Sequence, residues 1–122
     1  MAEGISSAAA QVGLDAIAAA YTWIKLHTGA PGAAGTSNAA TETTRKQATW
    51  GAASGNALAN TNAPTWTNVA GSEDYTHYSA WTANAAGTFG FSGTITAAAV
   101  TAGDTFDLPI GDIDLAFATL AS

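Results

Sequence analysis

At Tyr21 the hydrophobic pattern changes period, and this restricts the fold more than any other feature. Residues 4–20 read GISSAAAQVGLDAIAAA. Leu14, Ile17 and Tyr21 fall at i, i+3 and i+7, and Ile5 and Val12 lie one heptad apart. That spacing gathers apolar side chains on one helical stripe. Ser6 or Ser7 can cap the helix, because a short side-chain oxygen accepts a hydrogen bond from an unpaired first-turn N–H. From Tyr21 onward the apolar positions alternate instead, as they do in a half-buried strand. One N-terminal helix followed only by short alternating segments predicts a mainly β domain, an antiparallel sandwich or jelly-roll-like fold. The expected division is a helical arm over residues 1–20 and a β-sandwich over residues 21–122, in a single domain.

The strands can be placed from the alternation. Tyr21–Thr28 sets Ile24 and Leu26 against Trp23, Lys25 and His27. Residues 29–43 have loop composition, Arg45–Trp50 fits a strand, and Gly51–Pro64 reads as a second loop before a short strand at Thr65–Val69. Tyr75, His77, Ser79 and Trp81 alternate with Thr76, Tyr78, Ala80 and Thr82. After a turn at Asn84–Gly87, one face carries Phe89, Phe91, Gly93 and Ile95. Phe106, Leu108 and Ile110 form a further face, and Ile113, Leu115 and Phe117 form the last. Pro109 has no N–H for a ladder, so its strand is expected at an edge or a bulge.

Composition narrows function mainly by exclusion. The hydrophobic fraction is 48%, but 31 alanines supply about half of it, so the core is expected to be thin. Only 10% of residues are charged, against roughly 25% in an average globular chain. A surface so poor in solvating charge fits a chain that packs on copies of itself or on a larger assembly. The net charge is −6, with Lys25, Arg45 and Lys46 the only basic residues. Phosphate-backbone binding requires a basic footprint, so no nucleic-acid partner is expected. An anionic membrane surface is disfavoured on the same ground. The segment 5–20 is too short and too polar to span a bilayer. The chain has no cysteine, which excludes disulfides and thiolate metal sites.

No motif supports catalysis. The stretch HTGAPGAAGTSN (27–38) is rich in glycine but lacks the lysine and the following helix of a phosphate loop. His27 and His77 make too few ligands for a metal site; if their strands pair, the two rings approach each other. The sequence around Ser92, GFSGT, does not have the glycine spacing of a nucleophile elbow. Asp104, Asp107, Asp112 and Asp114 cluster, but Asp112 and Asp114 alternate with Ile113 and Leu115, as on the wet face of a strand. Trp23, Trp50, Trp66 and Trp81 serve either as core material or as a sugar-stacking platform. No catalytic, metal-binding or cofactor-binding residue is assigned, and no cofactor is expected.

Four segments carry a resemblance: LHTGAPGAAGTSNAA (26–40), TRKQATWGAAS (44–54), YTHYSAWTANAAGTFGFSGTIT (75–96) and TAGDTFDLPIGDIDLAF (101–117). In this order they resemble a family of small virion proteins of tailed phages, especially phages of actinobacteria, commonly labelled tail fibre or minor tail proteins. The family pattern runs LHTxxPGxxGxxE, an Arg–Gln–aromatic strand, T-H-[FY]-x-x-W, a Gly-rich hairpin and a closing strand pair preceded by AGD. The resemblance spans nearly everything after Tyr21. It departs at Ala30 and at Ala39 and Ala40, where relatives often carry acids; Glu42 follows a little later.

The resemblance implies a non-enzymatic virion component on the capsid surface or the tail. On it, His27, Pro31, Gly32, Gly35, His77 and Trp81 are expected to order the motif and its loop. A compact domain with an uncharged surface and no visible fibre shaft favours a capsid decoration (cement) subunit. The alternatives are a small tail fibre or minor tail protein, and a carbohydrate-binding module. The expected partners are the chain itself, as a homotrimer, and the major capsid or tail proteins.

Overall fold

A computed structural model describes residues 5–52 and 57–116. One helix, α1 (Ser7–Ala20), precedes eight strands: β1 (Trp23–His27), β2 (Lys46–Gln47), β3 (Ala57–Ala59), β4 (Thr65–Trp66), β5 (Glu73–Trp81), β6 (Phe89–Val100), β7 (Phe106–Asp107) and β8 (Asp114–Ala116). The main sheet has the order β2-β1-β5-β6, and β3 pairs with β8 and β4 with β7. Every pairing is antiparallel. The sandwich read from the sequence is therefore present, with its second layer divided into two short ribbons.

The core lies between the layers. Ile24 and Leu26 of β1, Tyr78 and Ala80 of β5 and Ile95 of β6 meet Trp66, Val69, Phe106, Leu108 and Ile113 from the other side. Aromatic rings supply much of the fill, since they bury a large area per residue in a chain short of Leu and Val. Trp66 sits 5.8 Å from Phe106, and Tyr75 meets Phe106 edge-on at 5.1 Å.

Strict alternation fails in β5. Tyr75 and Tyr78 lie three apart yet both enter the core. The ladder is irregular there: between Tyr75 and His77 β5 advances two residues while β6 runs four, from Thr94 to Ala98. Beyond it, β5 is buried on both faces: Ser79 and Trp81 are as inaccessible as Tyr78 and Ala80.

Ser6 caps α1, its Oγ accepting from the Ala9 N–H at 3.1 Å. The buried helical face is Ala10 and Leu14, and Leu14 packs with Leu58 and Leu115. The expected Ile5–Val12 stripe instead faces outward, with Val12 72% exposed. A single leucine facing β3 sets the rotation of so small-sided a helix, and Val12 falls about 160° away from it at 100° per residue.

Three strand expectations require correction. Gly51–Pro64 is not wholly loop, because Ala57–Ala59 pairs with β8 through the Leu58–Leu115 register. The strand through Phe106, Leu108 and Ile110 ends at Asp107; Pro109 follows and Ile110 is 67% exposed. Arg45–Trp50 contributes only the short β2 and an isolated bridge from Trp50 to Asn60. In the final group Ile113 is core and Leu115 half-buried, while Phe117 lies outside the described residues.

Candidate functional site

The face of the main sheet opposite the core carries Lys25 and His27 from β1 beside Ser79 and His77 from β5. His27 pairs directly with His77, and Trp23 with Trp81. A polar face of this kind would normally be wet. Here a loop covers it.

That loop is residues 28–40, the glycine-rich stretch. Its ends are closed by the Thr28 N–H to Asn38 O bond at 2.9 Å and the Ala40 N–H to Leu26 O bond at 3.1 Å. Inside it, the Ser37 N–H donates to Pro31 O at 2.9 Å and the Gly35 N–H to Gly32 O at 3.1 Å. Joined ends and an internally bonded backbone make it a compact Ω-type loop. Pro31 and Gly35 are buried within it, while Gly32 is exposed. Asn38 closes the turn, its Nδ2 donating to Ala30 O at 2.9 Å.

Gly35 is required on two counts. Its φ is +72°, and a Cβ there would lie 2.4 Å from Phe89 Cδ1. The left-handed backbone alone costs an L-residue about 1–2 kcal/mol. Gly35→Ala is expected to destabilise the domain by about 2–3 kcal/mol, read as a lower urea midpoint at unchanged slope.

A buried hydrogen-bond relay joins the loop to the sheet. His27 Nδ1 lies 2.9 Å from Ser37 O, and His27 Nε2 lies 2.7 Å from Ser79 Oγ. A carbonyl only accepts, so Nδ1 carries the proton and Nε2 accepts from the Ser79 hydroxyl. Ser79 Oγ in turn accepts from the Trp81 Nε1–H at 2.7 Å. Both His27 and Ser79 are fully buried, and burial holds the His27 pKa below its usual value. The Trp81 ring is flanked by Phe89 at 5.5 Å, and the Arg45 guanidinium carbon lies 4.3 Å from its centroid. Arg45 Nη1 also donates to Ala83 O at 2.9 Å and Ala86 O at 2.7 Å, fastening the turn between β5 and β6. His77 stands apart from the relay, half-buried, its Nδ1 hydrogen-bonded with Thr76 Oγ1 at 2.8 Å.

Ser79 is the residue that sequence reasoning overlooked. Its signal was the run of His77, Ser79 and Trp81 on one face of a strand whose partner ends in His27. Ser79 and His27 have the spacing of a nucleophile–base pair, but Ser37 O occupies the position where a triad has its carboxylate. Sealed beneath the loop, the pair has no route to substrate.

The acids serve as backbone and hydroxyl acceptors. Asp104 Oδ2 receives the Thr101 N–H at 2.9 Å, and Asp107 Oδ1 receives the Thr65 hydroxyl at 2.6 Å. Asp112 takes both the N–H and the hydroxyl of Thr96, at 3.0 and 2.7 Å. Glu73 takes the Thr41 N–H. Among the described residues no group of three or more His, Cys, Asp or Glu is arranged to hold a metal ion.

A second feature lies away from the relay. An open cleft of about 460 Å³ runs between the C-terminal half of α1 and the segment after β2. Asp15, Ala18, Ala19 and Thr22 form one side, and Gln47 to Ala52 the other. Trp50 is held there by its Nε1–H, which donates to Tyr21 O at 3.1 Å, and by Phe91 at 5.9 Å.

Among known proteins, the family model described as podophage GP4 fiber I protein gp80 matches residues 9–116. No curated protein matches the chain. The match begins within α1 and runs through β8, so it takes in the relay, the loop that covers it and the cleft. The chain belongs to the podophage GP4 fiber I protein gp80 family and is a phage structural protein of fibre type.

Proposed function

We propose that this chain is a non-enzymatic tail fibre subunit of a podophage-type virion, assembling with copies of itself as a homotrimer and with other tail proteins. The family match across residues 9–116 carries this reading. A compact domain with few charges, which on sequence alone favours capsid decoration, serves a fibre equally well. The match adds weight to the fibre alternative and none to decoration. In this reading the 28–40 loop is a rigid structural part of the subunit. His27, Gly35, Pro31 and Trp81 hold it against the sheet, while Gly32 shapes its turn and His77 flanks the covered face. Relatives that carry acids in the loop would order it through those acids; here His27 does so through Ser37 O.

Immunogold labelling of intact virions with antibody against the chain tests the assignment. Label confined to the tail or its vertex is the expected result. Uniform label over the head would overturn the fibre reading in favour of decoration.

A further inference from the structure

We propose that the 28–40 loop is an acid-released lid, which protonation of His27 lifts from the main sheet to uncover Ser79, Trp81 and Phe89. At neutral pH the loop is the rigid part described above. The inference goes beyond the fibre reading and does not depend on where in the virion the subunit sits.

The loop is built as a detachable body. Its bonds run from loop to loop, with Ser37 N–H to Pro31 O, Gly35 N–H to Gly32 O and Asn38 Nδ2 to Ala30 O, or close its base at Thr28 and Ala40. It is held down by the His27 ring at Ser37 O and by the Gly35 backbone resting on the Phe89 ring. A segment closed on itself can leave the surface without separating the strands beneath it. Such local openings cost less than global unfolding.

The space around His27 suits a neutral ring. A proton on Nε2 would face Ser79 Oγ, which already accepts from the Trp81 Nε1–H at 2.7 Å. It would also deprive the Ser79 hydroxyl of its acceptor.

The new charge would lie among charges of its own sign. Lys25 of β1 and His77, directly opposite on β5, both act on His27 and both disfavour its cation. Arg45 stands at the far end of the relay, over Trp81. The loop and β6 contribute no ionisable side chain, so the lid brings no carboxylate to balance the charge. A buried cation without a counter-ion is costly until water reaches it. The loop lies between His27 and that water. Lifting it hydrates the imidazolium and leaves Ile24, Leu26 and Tyr78 packed on the other face of the sheet.

The direction with pH follows. In the lifted state His27 is hydrated and titrates near its ordinary value of about 6.5. Under the lid, burial keeps its pKa lower. Opening therefore increases as pH falls below about 6.5 and levels off at the closed-state value.

The test is native-state hydrogen exchange on the full ¹⁵N-labelled chain between about pH 8 and pH 5, the span over which histidine charges, at several low urea concentrations. After correction for intrinsic exchange rates, the Trp81 indole N–H and the Thr28 and Ser37 amides are expected to open severalfold more often at the acid end. That opening should depend little on urea, because a lid exposes little surface. The Tyr78 and Ala80 amides are expected to exchange through urea-dependent global unfolding. His77→Glu places a carboxylate opposite His27 and should keep the lid closed at the acid end, and His27→Gln should remove the pH dependence. Loop sites that follow Tyr78 and Ala80 at every urea concentration would overturn the proposal, since global unfolding alone would then uncover them. So would a urea-independent opening that is equal at both ends of the pH range, or one that His77→Glu leaves unchanged. The comparison within the unmodified chain stands even if His27→Gln fails to fold.

Discussion

Trp66→Ala is expected to lower stability by about 4 kcal/mol, within the range of roughly 3–5 for large aromatic truncations. Trp66 is 1% exposed at the centre of the inter-layer core, against Phe106. Its removal leaves a cavity that the short β4 and β7 ribbon cannot collapse into without losing its own pairing. It also leaves Thr44 O without the indole N–H that reaches it at 2.7 Å. Domains of this kind have only about 5–15 kcal/mol in total, so the midpoint of thermal unfolding should fall by roughly 15–20 °C. Trp66→Phe separates the two effects. It keeps the ring contact and loses the hydrogen bond, and should cost about half as much. Equal losses for Phe and Ala would show that the indole's bond, rather than its volume, dominates.

The second large effect is expected at His27. His27→Ala leaves the buried Ser79 hydroxyl without its acceptor, at about 1–3 kcal/mol, and removes the part-buried bond to Ser37 O, at about 0.5–1.5 kcal/mol. A total near 3 kcal/mol is expected, with amide exchange at Thr28, Ser37 and Ala40 accelerating before the rest of the sheet. Two partial mimics divide the relay. His27→Asn keeps a donor near the Nδ1 position for Ser37 O, and His27→Gln keeps an acceptor near the Nε2 position for Ser79. Asn should protect the loop amides better than Gln.

The same residue makes stability depend on pH. The neutral ring fits the relay, with one nitrogen donating and the other accepting. A protonated ring would donate from both nitrogens, so Ser79 Oγ would receive two donors and its own proton would have no acceptor. Burial therefore lowers the folded pKa below the ordinary value of about 6.5. Between that folded value and 6.5 the unfolded chain binds more protons than the folded one, so stability falls as pH is lowered through this window. His27→Gln should remove this contribution to the slope.

Much of the architecture was written in the sequence because the period changed so sharply at Tyr21. The alternation of Ile24 and Leu26 assigned the core face of β1, and Phe91 and Ile95 face the core in β6, but the register shift between Ala80 and Trp81 turns Phe89 to the opposite face, against Trp81 and Gly35. Other parts depended on contacts between distant segments. Leu58 forms a strand only because Leu115 pairs with it; alone, ALA between Asn56 and Asn60 has no strand signature. Val12 and Leu14 have equal local claims to the buried face of an alanine helix, and only the position of Leu58 decides between them. The irregular pairing of β5 with β6 between Tyr75 and His77, where the extra residues lie in β6, hid the shared role of Tyr75 and Tyr78.

The site divides in the same way. The HTGAPGAAGTSN segment was recognisable, and its missing lysine ruled out phosphate chemistry. Its covering of a polar sheet face was not legible, because Ser37 O, His27, Ser79 and Trp81 come from three separate stretches. Ser79 looked like one more hydroxyl in a chain full of them. The acids looked like a cluster, and Asp104, Asp107 and Asp112 instead each find a partner in a separate turn or strand.

The histidine relay is tested most directly by a long-range ¹H–¹⁵N spectrum of the imidazole rings in the intact chain at neutral pH. His27 is expected in one fixed tautomer, protonated at Nδ1 and bare at Nε2. Protonation at Nε2, or rapid averaging between the two tautomers, would contradict a loop held to the sheet through Ser37 O and Ser79.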